Sequence, residues 1–159
     1  MDLPTNDGLN VYFASYLAKK IKSKVIISGV GGDELFSGYP SFKRIPIINK
    51  IFTKIPYNKS INKILKNYLY SFSKKSNLNP KYSDLYSHGK DLEKTFFLQR
   101  SLFIENEIKE IFSDKIFREE LSNVNLHKDL SEDIKNINNP NLEIMYLEIK
   151  YYLKNKLLR

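Results

Sequence analysis

The residues best suited to chemistry stand together in one stretch, IISGVGGDELFSGYP, from Ile26 to Pro40. It holds four of the six glycines of the chain and sets Asp33 and Glu34 side by side directly after Gly31 and Gly32. A glycine-rich turn at the carboxyl end of a strand exposes backbone N–H groups where open α/β folds bind ligands. A helix start behind that turn favours phosphate. Gly31 and Gly32 let backbone and ligand approach closely, and either tolerates φ > 0. Asp33 is placed to reach a metal ion riding on a polyphosphate, since hard cations such as Mg²⁺ take carboxylate oxygens. Glu34 can hold a cationic group or orient a neighbour. Equally, the two acids can cap and charge a short helix over Asp33–Phe36 through its dipole. The pattern is not a Walker loop, which needs Gly-Lys-Ser/Thr after four spacers, nor the dinucleotide G-x-G-x-x-G. On the residues alone, this is an anion- or nucleotide-binding edge of an α/β sheet.

The elements around the loop follow from periodicity. In GLNVYFASYLAKKIK (8–22), Leu9, Tyr12, Phe13, Tyr16, Leu17 and Ile21 recur every three or four residues and make one face of a helix. Asn6 or Asp7 can cap its start, and Lys19, Lys20 and Lys22 suit its negative C-terminal end. The β-branched run that follows, Lys24–Ile27 ending at Ser28-Gly29, predicts a buried strand of the parallel type over about 24–28. One strand is not a sheet, so the chain is expected to be an α/β piece cut from something larger. Beyond Pro40 the expectation is a helical extension. It has segments broken at Pro46 and Pro56, a polar connection at 73–89 with one helical turn, and a helical stretch at 91–112 interrupted near Leu102-Phe103. Further helices are expected at 114–122 and 142–158, the latter after the turn NINNPNLE. The predicted class is therefore predominantly α-helical α/β, with a partial nucleotide-binding unit at 1–42 and a helical extension at 43–159.

Composition excludes more than it selects. At 159 residues, with 42% hydrophobic and 13% aromatic content, the chain can build a core and is not generally disordered. The net charge of +8 raises nucleic acid as a partner, but no basic run reaches five residues, and clustering rather than totals marks such a footprint. The absence of cysteine removes disulfides, thiolate metal sites and a cysteine nucleophile, and fits a cytoplasmic protein. No apolar run approaches the ~20 residues needed to span a bilayer, and the first residues carry no signal-peptide pattern. Lone His88 reads as a loop residue, and the tyrosines Tyr146, Tyr151 and Tyr152 as packing residues.

The wording of the loop is also familiar. SGVGGDELFSGYPSF (Ser28–Phe42) resembles the S-G-x-G-G-D-E-L-F-G-G-Y segment in the synthetase domain of the glutamine-hydrolysing asparagine synthetases. DLPTNDGLNVYFASYLAKK resembles the stretch before it, QRSLFIENEIKEIF (Gln99–Phe112) a later R-x-x-F-x-x-x-E region, and Leu142–Arg159 the L-E-x-x-x-Y-L-x-x-x-L-L-R segment. The matches keep their order; residues 43–95 resemble the family only weakly. The resemblance implies an ATP-pyrophosphatase-type fold in which ATP and Mg²⁺ serve to adenylate aspartate, and ammonia then gives asparagine. It places Ser28 and Gly29 against adenosine, Gly31 and Gly32 in the nucleotide loop, Asp33 on the metal and pyrophosphate, and beside it Glu34, the catalytic candidate, as a contact for the substrate aspartate or as a structural partner. Val30 stands where some members carry a glutamate tied to adenylate formation, and Ser37 replaces the commoner glycine. The S-G-G-x-D-S pyrophosphate loop does not occur, nor does the basic segment that follows L-L-R, so the chain alone is expected not to make asparagine. It would act beside the missing parts of the same enzyme. The alternatives are a non-catalytic nucleotide-binding protein and a basic helical module for nucleic acid.

Overall fold

The computed structural model describes residues 6–112 and 126–157. Their backbone contacts fall into two compact units, one made of residues 1–39 with 145–159 and the other of 40–144. Among the described residues every regular element is helical. No helix there is long and apolar enough to cross a membrane.

In the first unit, helix α1 spans Asn6–Lys20. It ends in a glycine-type stop built without glycine. Lys22 takes φ 58°, Ser23 N–H donates to Ala18 O at 2.9 Å, and Lys22 N–H donates to Lys19 O at 3.1 Å. The helix forms where it is expected, but its apolar residues do not gather on one buried face. Leu9, Tyr12, Phe13, Tyr16, Leu17 and Ile21 are all exposed, and Ala18 is the buried apolar residue of α1.

The expected strand over 24–28 does not form, which corrects the predicted α/β class to a helical one. Residues 25–29 run as irregular backbone, with Val25 75% and Ile27 94% exposed. The cause is hydrogen bonding. A strand exists through its neighbours, and no second extended segment among the described residues lies beside this one. β-branched content biases φ and ψ but cannot supply that ladder.

The loop then leads into helix α2, Gly32–Leu35. The chain's later return to this unit completes helix α9, Pro140–Leu147, which continues in wider π-type turns over Glu148–Leu157. Asn139 Oδ1 accepts from Asn141 N–H at 2.9 Å and so caps α9, as the turn chemistry of NINNPNLE predicts. Leu147 and Glu148 are fully buried in this segment.

The second unit carries α3 (Ser41–Phe52), α4 (Lys59–Ser73), a 3₁₀ turn (Pro80–Asp84), α5 (Leu85–His88), α6 (Leu92–Arg100), α7 (Glu105–Ile111) and α8 (Leu126–Ile134). Helix α3 runs straight through Pro46, where a break is expected. The ring costs the helix one N–H, but Phe42 and Ile45, in the turn that leads to it, are buried in the core and hold that turn closed. The interruption does come at Pro56. There Asn58 Oδ1 accepts from Ser60 and Ile61 N–H and starts α4, while Tyr86 Oη donates to Pro56 O at 2.8 Å. The break near Leu102-Phe103 separates α6 from α7, and Glu107 Oε2 accepts from Ile104 N–H at 2.8 Å to begin the second helix. The 73–89 connection holds the 3₁₀ turn and α5. His88 closes α5, with Nδ1 3.0 Å from Asp84 O, and burial lowers its pKa. The helix expected at 114–122 lies outside the described residues, whereas α8 is not among the expected helices, although Leu126, Leu130 and Ile134 recur at helical spacing.

The core of this unit collects Phe42 and Ile45 of α3, Leu92, Phe96 and Leu98 of α6, Ile104, Leu130 and Ile134 of α8, and Ile144. Each such side chain contributes about 1.5–3 kcal/mol on leaving water. An ionic cluster lies in the same unit, buried at Asp84 and open to water at Glu105 and Lys109. Lys66 Nζ lies 2.8 Å from Asp84 Oδ1 and 3.1 Å from Glu105 Oε2, and Lys109 Nζ lies 2.6 Å from Glu105 Oε1. Burial works against the charge on Glu105, but the Lys109 and Lys66 ammoniums outweigh it and hold the carboxyl down at about 2.

Candidate functional site

The loop from Ser28 to Tyr39 is shaped by backbone bonds of its own. Ser28 Oγ accepts from Val30 N–H at 3.4 Å, and Gly32 N–H donates to Gly29 O at 3.1 Å. Those two turns consume the N–H groups of Val30 and Gly32. Among the described residues, the N–H groups of Gly29 and Gly31 have no protein acceptor.

Gly31 sits at φ 93°, in the left-handed region, immediately before α2. An L side chain is strained there, so glycine is required by the turn itself. A Cβ at Gly31 would meet Leu153 Cδ2 at 3.4 Å, an ordinary contact, so the backbone and not crowding excludes it. Gly29 and Gly32 face open space: a Cβ added at either would have nothing within 4 Å. The loop therefore presents clear backbone at both positions, as close approach of a ligand would need.

The two acids part company. Asp33 is exposed at the start of α2, while Glu34 is 1% exposed and accepts a hydrogen bond at 2.8 Å from Tyr39 Oη. Tyr39 in turn meets the Tyr152 ring edge-on at 6.1 Å. The carboxylate of Glu34 thus ties the far end of the loop back onto α2.

Asp33 is fixed from the other side. The end of α2 wraps in a second left-handed stop, with Ser37 at φ 58° and Gly38 N–H donating to Asp33 O at 2.9 Å. This brings Gly38 so close that a Cβ on it would stand 2.1 Å from Asp33 Oδ1 and 3.1 Å from Asp33 Cα. Gly38 is where it is because the Asp33 carboxylate occupies the space a side chain would fill. Ser37 accepts a strained φ where the resemblance has glycine; the geometry explains the glycine.

The structure therefore brings Ser28, Gly29, Gly31, Gly32, Asp33 and Glu34 into one loop-and-turn, with Asp33 presented outward and Glu34 turned inward. Tyr39 and Gly38 are the residues that the spacing argument passes over. Their signal lies in the same stretch, as the Ser-Gly-Tyr that follows Asp-Glu-Leu-Phe, but their role depends on a chain reversal that only the fold reveals. No group of three or more His, Cys, Asp or Glu side chains among the described residues forms a ready metal cage. A single outward carboxylate fits Mg²⁺ carried on phosphates, since that ion keeps its waters and takes one or two carboxylates from protein.

The family model for asparagine synthase matches residues 2–159. No curated protein and no solved structure matches the chain.

Proposed function

The chain belongs to the asparagine synthase family, and from that premise we propose that the Ser28–Tyr39 loop is one half of an ATP site for making asparagine. In the overall reaction, the side-chain carboxylate of aspartate attacks the α-phosphorus of ATP and pyrophosphate leaves. Ammonia then attacks the acyl carbon, giving asparagine and AMP. Ser28 and Gly29 are suited to the adenosine, Gly31 to the tight turn that shapes the nucleotide loop, and the open backbone at Gly32 to close approach of the phosphates. Asp33 would hold Mg²⁺, which supplies charge neutralisation for the departing pyrophosphate. Glu34 acts at the same centre through the shape of the loop. Held by Tyr39, it keeps α2 and its preceding turn in register, so that Asp33 points outward.

The observation that carries this reading is the division between the two neighbouring acids. An ordinary solvated acidic pair would leave both exposed, whereas here the loop uses Glu34 in its own construction and leaves Asp33 exposed. The second metal carboxylate, which the family takes from its S-G-G-x-D-S loop, is not in this sequence. The bare apolar residues of α1 and Val25–Ile27 add to the case that other polypeptide surface completes the site. We therefore assign catalysis to the assembled enzyme and Mg·ATP recognition to this chain.

Calorimetric titration of the full chain with Mg·ATP tests the reading. Saturable binding at millimolar strength or better, abolished by Asp33→Ala, is expected. Absence of heat from a chain that shows its helical circular dichroism overturns the proposal, as does binding that Asp33→Ala leaves intact.

A further inference from the structure

A cavity of about 410 Å³ lies wholly within the second unit, between α3, the 3₁₀ turn and α6, away from the glycine loop in sequence. Its size is that of a small-ligand pocket. Its walls sort by chemistry. Ile48, Leu85 and Leu98 supply apolar surface, Tyr82 supplies an aromatic ring with a hydroxyl, and Arg44 and Lys81 supply the charges. No carboxylate is among the described lining residues.

Among the described residues, neither cation has an anionic partner in contact. Arg44 makes no ion pair among the described residues. Lys81 Nζ donates to a neutral acceptor, Gln99 O, at 2.9 Å. Burial lowers the Lys81 pKa against the pull of the Glu107 charge, the mark of an ammonium short of compensation. In a chain where Lys66, Lys74, Lys94 and Lys109 all find carboxylates, two cations that line one hollow, beside Asn79, Thr95 and Gln99 and without a carboxylate, stand apart.

We propose that this cavity binds a small organic anion, with its carboxylate or phosphate head on Arg44 and Lys81 and a flat apolar body against Ile48, Leu85 and Leu98. The guanidinium offers paired donors to either head group, and the ammonium a point charge beside it. An ion without an apolar body leaves the hollow unfilled, and a cation is repelled by both side chains. The site is independent of the Mg·ATP half-site and does not rest on it.

Titration of the full chain with phenyl phosphate, benzoate, inorganic phosphate and benzylamine, followed by NMR shifts and calorimetry, decides the matter. Saturable binding of phenyl phosphate or benzoate is expected, and the tighter of the two identifies the head group. Each should bind about tenfold better than inorganic phosphate, as burial of one ring predicts. Arg44→Gln and Lys81→Gln should each weaken binding about tenfold, the worth of one charge-assisted contact. Arg44 is exposed, so its variant tests the site without endangering the core. Asp33→Ala should leave this binding unchanged while removing that of Mg·ATP, which separates failure of one site from failure of the other. No saturation by roughly 10 mM, binding indifferent to both substitutions, or equal binding of benzylamine overturns the proposal.

Discussion

Removing the charge of Lys66 should destabilise the second unit more than any single change on its surface. The Asp84 side chain is 3% exposed and that of Lys66 is 17% exposed, so the pair is largely out of water. The ammonium stands 2.8 Å from Asp84 Oδ1, yet that oxygen has no hydrogen-bond donor in good geometry. Among the described residues no other donor compensates that oxygen. Lys66→Met keeps the aliphatic stem in place and deletes only the charge. Breaking a buried pair from one side costs about 3–5 kcal/mol, because the remaining ion is stranded. The partial exposure of Lys66 lets some water reach Asp84, and the half-exposed Glu105 adds little, so about 3 kcal/mol is expected. Adding Asp84→Leu removes the stranded carboxylate, and the double variant should recover at least about 2 kcal/mol of that loss. Urea unfolding at pH 7, read by circular dichroism, measures all three species against the parent. A loss under about 1 kcal/mol for Lys66→Met, or strictly additive losses in the double variant, would refute the claim that Asp84 depends on this cation.

Three further changes probe the loop and the acid response. Gly38→Ala forces the Asp33 carboxylate out of its place, because the new methyl would lie 2.1 Å from Oδ1; Mg·ATP binding should fall as far as in Asp33→Ala, and combining the two changes should cost nothing more in the same calorimetric titration. Ser37→Gly relieves a left-handed φ of 58°; strain relief of about 1–2 kcal/mol less the added chain entropy leaves a gain of roughly 0.5–1 kcal/mol in thermal or urea unfolding. Glu105 has its folded pKa depressed to about 2 from an ordinary 4.5, so its contribution is complete above the unfolded value and is lost as pH falls through the folded one. Discounted for the exposed half of that side chain, about 1 kcal/mol should vanish between these pH values, and Glu105→Gln should flatten that limb of a stability–pH curve.

Local chemistry in this chain was readable because it acts over a few residues. Asn58 and Asn139 cap helices as their types dictate, α1, α6 and α7 form within the stretches expected to be helical, and the turn into α2 is taken at Gly31, where glycine permits it. The ordered motifs were enough to indicate the family, which the match over residues 2–159 establishes. What the spacing could not convey depends on partners distant in sequence or absent from it. Val25–Ile27 have strand composition and no strand, since pairing requires a neighbour that composition cannot create. Pro46 stays inside α3 because tertiary burial of Phe42 and Ile45 outweighs one lost N–H. Asp33 and Glu34 are adjacent and chemically alike, so only the chain reversal that brings Tyr39 and Gly38 back onto α2 assigns one inward and the other outward. Lys66 and Lys81 are likewise two lysines among many until folding gives one a buried carboxylate and the other a hollow lined by none. Propensity and turn geometry are properties of short stretches, whereas burial and charge compensation are properties of what the fold places beside them.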